Sequence, residues 1–215
     1  MELLTQFIDL VLHLDTHLAA LIAQYGTWIY LILFLIIFCE TGLVITPFLP
    51  GDSLLFVAGT MAAVGSMDVH GLFALLSLAA FCGDNTNYWI GHYVGPRIFR
   101  RERSRLLNPA HLQRTQRFYE KHGGKTIVLA RFMPIVRTFA PFVAGIGRMR
   151  YASFVFYSFS GSVLWISFFV YAGYYFGNIP FVKKNLTAFI LGVIVLSVLP
   201  GVITWLKERS RGKGA

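Results

Sequence analysis

The chain has 215 residues, 56% of them apolar and only 13% charged, about half the charge of a soluble domain. A bilayer span needs ~20 mostly apolar residues, so the composition supplies several spans and leaves little for a soluble domain. It excludes a cytosolic enzyme, a disordered chain and a disulfide-stapled secreted module.

The net charge of +9 is unevenly spread: residues 1–96 hold seven acids and no Lys or Arg, and all nineteen cations lie from Arg97 onward. Such asymmetry reports membrane orientation. Nucleic-acid binding is the weaker reading, since no basic folded domain presents the charge. Cys39 and Cys82 fall in apolar runs and read as packing residues.

Residues 1–24 predict an amphipathic helix, apolar at helical spacing from Leu3 to Ile22, with Asp9 and Asp15 on its opposite face. Trp28 to Thr46 is an apolar run broken only by Glu40, and it ends in Pro47-Phe-Leu-Pro50-Gly51-Asp52. Ser53–Gly65 is apolar but too short to cross a bilayer. Two apolar arms around a Pro/Gly break predict a re-entrant hairpin. Gly71–Gly95 is long enough to span, though Gly83–Tyr88 is polar, and Gly83, Asn87, Gly91 and Gly95 form a stripe of small residues for close helix packing.

Residues 97–125 form a hydrophilic loop with nine cations. Thr126–Gly147 is apolar but interrupted by Arg131, Pro134, Arg137 and Pro141, which predicts a second hairpin. Residues 151–177 and 187–206 are two further spans, and residues 207–215 form a basic tail. The domain organisation expected is the helix 1–24, a transmembrane domain 25–206 and the tail.

Two ordered matches suggest an internal repeat: Pro47-Phe-Leu-Pro-Gly51 with Pro141-Phe-Val-Ala-Gly145, and Tyr88–Gly95 with Val170–Gly177. Pro47, Pro50 and Gly51 would break the first hairpin, and Pro134, Pro141 and Gly145 the second. The cations place the loop 97–125 and the C-terminus in the cytoplasm. On that count the first hairpin opens outside and the second inside. The fold expected is an all-α polytopic membrane protein, an inverted repeat with two opposed re-entrant helical hairpins.

Charge within a span is costly and is read as functional. Glu40, Asp52, Arg131 and Arg137 are the candidates, two acids from one hairpin and two guanidiniums from the other, with formal charge summing to zero. Arg presents a planar fork that fits phosphate bidentately, and carboxylates withdrawn from water can carry protons. Asp84, Asn87 and Tyr88 would either line the same cavity or join helices by hydrogen bonds. No His/Cys/Asp cluster has metal-site spacing, and no cofactor motif occurs. No embedded Ser or His lies beside the arginines in sequence, which argues against an enzyme using a nucleophile.

Glu40-Thr-Gly-Leu-Val-Ile-Thr-Pro-Phe-Leu-Pro-Gly-Asp52, Gly83-Asp84 with Tyr88-Trp-Ile-Gly-His-Tyr-Val-Gly95, and Arg131-Phe-Met-Pro-Ile-Val-Arg137-Thr-Phe-Ala-Pro141 with Ala144-Gly145 resemble the DedA family of bacterial inner-membrane proteins. That family shares the VTT domain, also called the SNARE-associated Golgi protein domain. The resemblance implies opposed re-entrant hairpins and movement of lipids across the bilayer. Bacterial members are linked to recycling of undecaprenyl phosphate and to proton-motive force, and eukaryotic relatives are phospholipid scramblases. The family's essential acids and arginines map onto Glu40, Asp52, Arg131 and Arg137. His92 stands where many members have Arg.

The function expected is therefore flippase- or scramblase-like transport of a lipid with an anionic phosphate head group, coupled to protons. A proton-coupled exporter of small ions or drugs is the alternative. Nothing in the sequence opposes a homodimer.

Overall fold

The structure, a computed structural model, describes residues 24–43, 51–99 and 124–177, with Leu18, Ala20, Leu21, Ile179 and Pro180 beside them. Most of the helix expected over 1–24, Pro47, Pro50, most of the loop 97–125, the span 187–206 and the tail 207–215 lie outside the described residues. Among the described residues there are six α-helices and no strand. Helix α1 (Ile29–Gly42) follows a 3-10 turn at Gly26–Trp28. The others are α2 (Gly51–Ala63), α3 (Val69–Phe99), α4 (Lys125–Ala130), α5 (Pro134–Ile146) and α6 (Tyr151–Gly177).

Helix α6 has 27 residues and, among the described residues, is the one helix both long and apolar enough to cross a bilayer. Helix α3 is longer, at 31 residues, but Asp84, Asn85, Thr86 and Asn87 make its middle polar. Helices α2 and α5 have 13 residues each, about 20 Å of helix, short of the ~30 Å hydrocarbon core.

Polarity is reversed relative to a soluble protein. Leu31, Leu35, Phe156, Phe159, Leu164 and Phe168 are exposed, whereas Glu40, Asp84, Arg131 and Arg137 are buried. Apolar side chains outside and ionised ones inside suit lipid as solvent. The chain is an all-helical membrane protein.

Two compact units divide the chain: Met1–Leu35, Phe48–Leu76 and Ile166–Ala215 form the first, Ile36–Pro47 and Ser77–Trp165 the second. In the first, α2 packs backbone to backbone on the end of α6. A Cβ at Gly59 would strike the Val170 carbonyl, one at Gly173 the Phe56 carbonyl, and one at Gly177 the Thr60 side chain. The Thr60 hydroxyl lies 3.1 Å from the Phe56 carbonyl oxygen and 3.3 Å from that of Gly173. Nearly all of α2 is buried, from Gly51 to Thr60.

In the second unit α5 packs on α3 in the same reciprocal way: a Cβ at Gly91 would strike the Phe142 carbonyl, and one at Gly145 the Tyr88 carbonyl. Gly83, one position of the small-residue stripe, presses on Phe38, Thr41 and Gly42 of α1. Between these contacts Asn87 donates to the Thr41 carbonyl at 3.1 Å and the Thr138 carbonyl at 2.6 Å, so one side chain ties α1, α3 and α5.

This packing alters the expected repeat. Gly145 corresponds to Gly59, not Gly51, and the four residues Phe56-Val-Ala-Gly59 recur unchanged as Phe142-Val-Ala-Gly145. In the second match, Gly91 presses on the Phe142 carbonyl and Gly173 on the Phe56 carbonyl. Gly59 and Gly91 lie 32 positions apart, Gly145 and Gly173 28.

Two residues expected to break the second hairpin are interior instead. Pro141 lies inside α5, and Gly145 is a packing contact near its end. Proline is costly within a helix because it removes an N–H and crowds the preceding turn. Here a carbonyl of that turn, Thr138, receives the Asn87 amide. The break falls earlier. Met133 is extended at φ −118°, ψ 106°, as the residue before a proline prefers, and Pro134 then opens α5. Gly51, by contrast, begins α2.

Candidate functional site

The site lies in the second unit. Helix α4 ends at Ala130, and a tight turn carries Arg131, with its N–H on Val128, followed by Phe132 on Leu129 and Met133 on Ala130. Arg131 therefore sits on the break, and Arg137 one turn into α5, its N–H on the Met133 carbonyl at 2.9 Å. Both guanidiniums are buried, and each meets a buried carboxylate: Arg137 Nη2 donates to Glu40 Oε1, and Arg131 Nη2 to Asp84 Oδ2. Glu40 lies on the buried face of α1 with Ile29, Leu33 and Ile37, at the helical spacing that turns one stripe inward.

Arg137 thus takes one of the two acids expected. The acid on Arg131 is Asp84, from the polar middle of α3, a residue expected to line the cavity or to join helices. Asp52 is buried in the first turn of α2, within the other unit, where a carboxylate suits the helix dipole.

Helix α6 contributes a face that the sequence reading passed over. Ser158, Gly161, Ser162 and Trp165 stand at i, i+3, i+4 and i+7. Ser158 donates to Asp84 Oδ2 at 2.5 Å, and Ser162 accepts from Arg131 Nη2 at 2.7 Å while donating to the Ser158 carbonyl at 2.8 Å. A Cβ at Gly161 would come 3.2 Å from Arg131 Nε, so glycine leaves room there. The Trp165 ring lies beneath both arginines, with Arg137 Cζ 4.7 Å and Arg131 Cζ 5.8 Å from its centroid. The readable signal was a small and polar stripe at helical spacing within an otherwise apolar span. The serines, distant from the arginines in sequence, are neighbours of the Arg131–Asp84 pair in space.

Asn87 and Tyr88 hold helices together. Tyr88 is buried, stacks on Phe154 at 4.4 Å between centroids, and donates its hydroxyl to the Met149 carbonyl at 2.6 Å. His92 packs against Tyr88 and edge-on to Trp89. Among the described residues no group of three His, Cys, Asp or Glu is placed to hold a metal ion.

Chemically the site is two guanidinium–carboxylate pairs of zero net formal charge, withdrawn from water. A buried pair leaves an uncompensated charge if either partner is removed. A fork held by a carboxylate is also one that another anion of similar shape can take.

The VTT domain family matches residues 49–175. The chain is 55% identical to protein DedA of Escherichia coli (strain K12) over 97% of this chain and 96% of the relative. The chain belongs to the DedA family. It is also 35% identical to inner membrane protein YqjA of the same strain, over 97% of this chain and 98% of the relative. With an uncharacterized membrane protein of Mycobacterium leprae it shares 42% identity over 84% and 81%. No solved structure matches the chain. The VTT match encloses Asp52, Asp84, Arg131, Arg137 and the serine–tryptophan face of α6, and begins after Glu40.

Proposed function

We propose that this DedA-family protein of the inner membrane moves a lipid with an anionic phosphate head group across the bilayer. The cargo is a polyprenyl phosphate such as undecaprenyl phosphate, or a phospholipid, and protons are the coupled ion. The observation that carries the reading is the pair of buried arginine forks, Arg131 and Arg137, each resting on a carboxylate and both lying over one tryptophan. A phosphate head group entering between them replaces carboxylate oxygens with phosphate oxygens of matching geometry. The displaced Asp84 and Glu40, withdrawn from water, then take protons instead of arginines. Release reverses the exchange. No bond in the lipid is made or broken, so the reading needs no nucleophile.

In this reading the protein is multi-pass, with opposed re-entrant hairpins and with loop 97–125 and the C-terminus cytoplasmic. A break at Arg131–Met133 between two short helices supports a hairpin of that kind.

The test is transport by the purified protein in proteoliposomes, comparing a fluorescent phosphate lipid with soluble cations and cationic drugs. Arg131→Lys and Arg137→Lys keep the charge but lose the planar fork. They are expected to insert normally and lose most lipid movement. Lysine variants that move lipid like the parent would remove the phosphate fork from the mechanism. If solutes move and lipid does not, the function is the proton-coupled exporter.

A further inference from the structure

We infer that Trp165 is the positioning residue that keeps both guanidinium forks aimed while their anionic partners change, an inference that rests on the phosphate-lipid reading. The exchange proposed above has a weak point. When a carboxylate releases its arginine, that arginine loses an ionic anchor, and two like charges lie close to each other. The indole answers both difficulties.

Trp165 is 1% exposed, and both guanidiniums approach its ring. Aromatic rings attract cations through the negative potential of their faces. That attraction does not change when a neighbouring acid gains a proton. An arginine also uses its surface differently toward the two kinds of partner. It meets an aromatic ring through its flat face and an oxyanion through the N–H groups on its edge. A ring beneath the guanidiniums therefore does not compete with phosphate for donors.

The rest of the α6 face fits this division of roles. Ser158 and Ser162 bind Asp84 and Arg131 through hydrogen bonds, contacts that shift when the ion pair opens. Gly161 leaves the flank of Arg131 Nε uncrowded. Trp165, one turn further along, is the member of the face whose ring reaches both arginines. A tryptophan that merely filled volume would serve equally with its π density drained.

That difference is testable without changing shape. The full chain in detergent, with Trp28, Trp89 and Trp205 replaced by Phe, would carry 5-fluoro, 5,7-difluoro or 4,5,6,7-tetrafluoro-tryptophan at position 165. Binding of decyl phosphate is measured by calorimetry, with decanol as the uncharged control. Affinity is expected to fall stepwise with each added fluorine, by about tenfold across the series. Trp165→Phe should bind more tightly than Trp165→Leu. A flat fluorine series, or equal affinity for the Phe and Leu variants, would show that Trp165 only packs and would overturn the inference alone. A parent that binds decyl phosphate no better than decanol would overturn the phosphate reading and the inference with it.

Discussion

The two units share one device and differ in what they add to it. In each, a Phe-Val-Ala-Gly segment on a short helix presses its glycine on a carbonyl of a long helix, and a glycine of the long helix presses back on the phenylalanine carbonyl. In the first unit the neighbouring polar group is one hydroxyl, Thr60, shared between two carbonyls. In the second the same contact stands beside Asn87 and two buried ion pairs. The glycine contact is therefore architecture, since it occurs with and without the arginine–carboxylate pairs. Close backbone approach of this kind is how helices associate in lipid, where burying apolar surface gives no advantage. The charges have no such excuse. They are expensive in this environment, and two arginine–carboxylate pairs stand together in the second unit.

The largest expected effect separates the units by charge. Asp84→Asn leaves Arg131 buried on a neutral partner and should cost about 3–5 kcal/mol if the pair is dry. Thr60→Val in the first unit removes a shared hydroxyl hydrogen bond and should cost about 1 kcal/mol. Thermal unfolding in detergent measures both. The double change Asp84→Asn with Arg131→Gln should recover most of the loss, because no charge is then stranded. If Asp84→Asn costs no more than Thr60→Val, the ion pairs sit in water and the contrast drawn between the units collapses.

The glycine contacts should break alike. Gly59→Ala and Gly145→Ala each drive a methyl group onto a carbonyl oxygen of the facing helix, and overpacking of this kind costs about 1–3 kcal/mol. Similar losses in the two units are expected. A large loss at one and tolerance at the other would mean that one contact only brushes, and that the shared four-residue segment does not play the same part twice.

Much of this was readable from residues alone, for physical reasons that differ from one element to the next. Glu40 announced itself because a short acid deep in an apolar run has no route to water. Arg131, Pro134 and Arg137 announced a break because proline and cations both oppose an uninterrupted span. Asp84 was harder, as it stood among Asn85, Thr86 and Asn87 in a run that reads equally as a hydrogen-bonded helix contact. Which acid an arginine takes depends on helix packing far apart in sequence, 47 positions for Asp84 and Arg131. The partners of a buried charge are thus the least local feature of the site. Trp165 was hidden by its neighbours, since a tryptophan among phenylalanines and leucines reads as lipid-facing mass. The prolines of the ordered matches are conspicuous, whereas the packing is carried by Phe-Val-Ala-Gly, which is inconspicuous in an apolar helix.

The smallest effect concerns how the two short helices end. Both close with the same pair of backbone hydrogen bonds. After α2, Ser66 N–H reaches the Met61 carbonyl and Gly65 N–H the Ala62 carbonyl; after α5, Met149 reaches Ala144 and Arg148 reaches Gly145. This cap needs one residue in the left-handed region. The first unit uses Gly65, at φ 83°, and the second uses Arg148, at φ 51°. A non-glycine residue there costs about 1–2 kcal/mol, although glycine gives back part of the difference by loosening the unfolded chain. Arg148→Gly should therefore raise stability by about 0.5–1 kcal/mol, and Gly65→Ala should lower it by a similar amount. Thermal unfolding of the two variants side by side tests the pair. A loss of stability in Arg148→Gly would mean that the exposed cation at the C-terminal end of α5 stabilises the helix dipole by more than its backbone costs. A gain would mean that strain is tolerated at this turn to keep a second positive charge beside Arg150. That would be a place where the second unit gives up stability to hold a charge at a turn where the first unit has glycine.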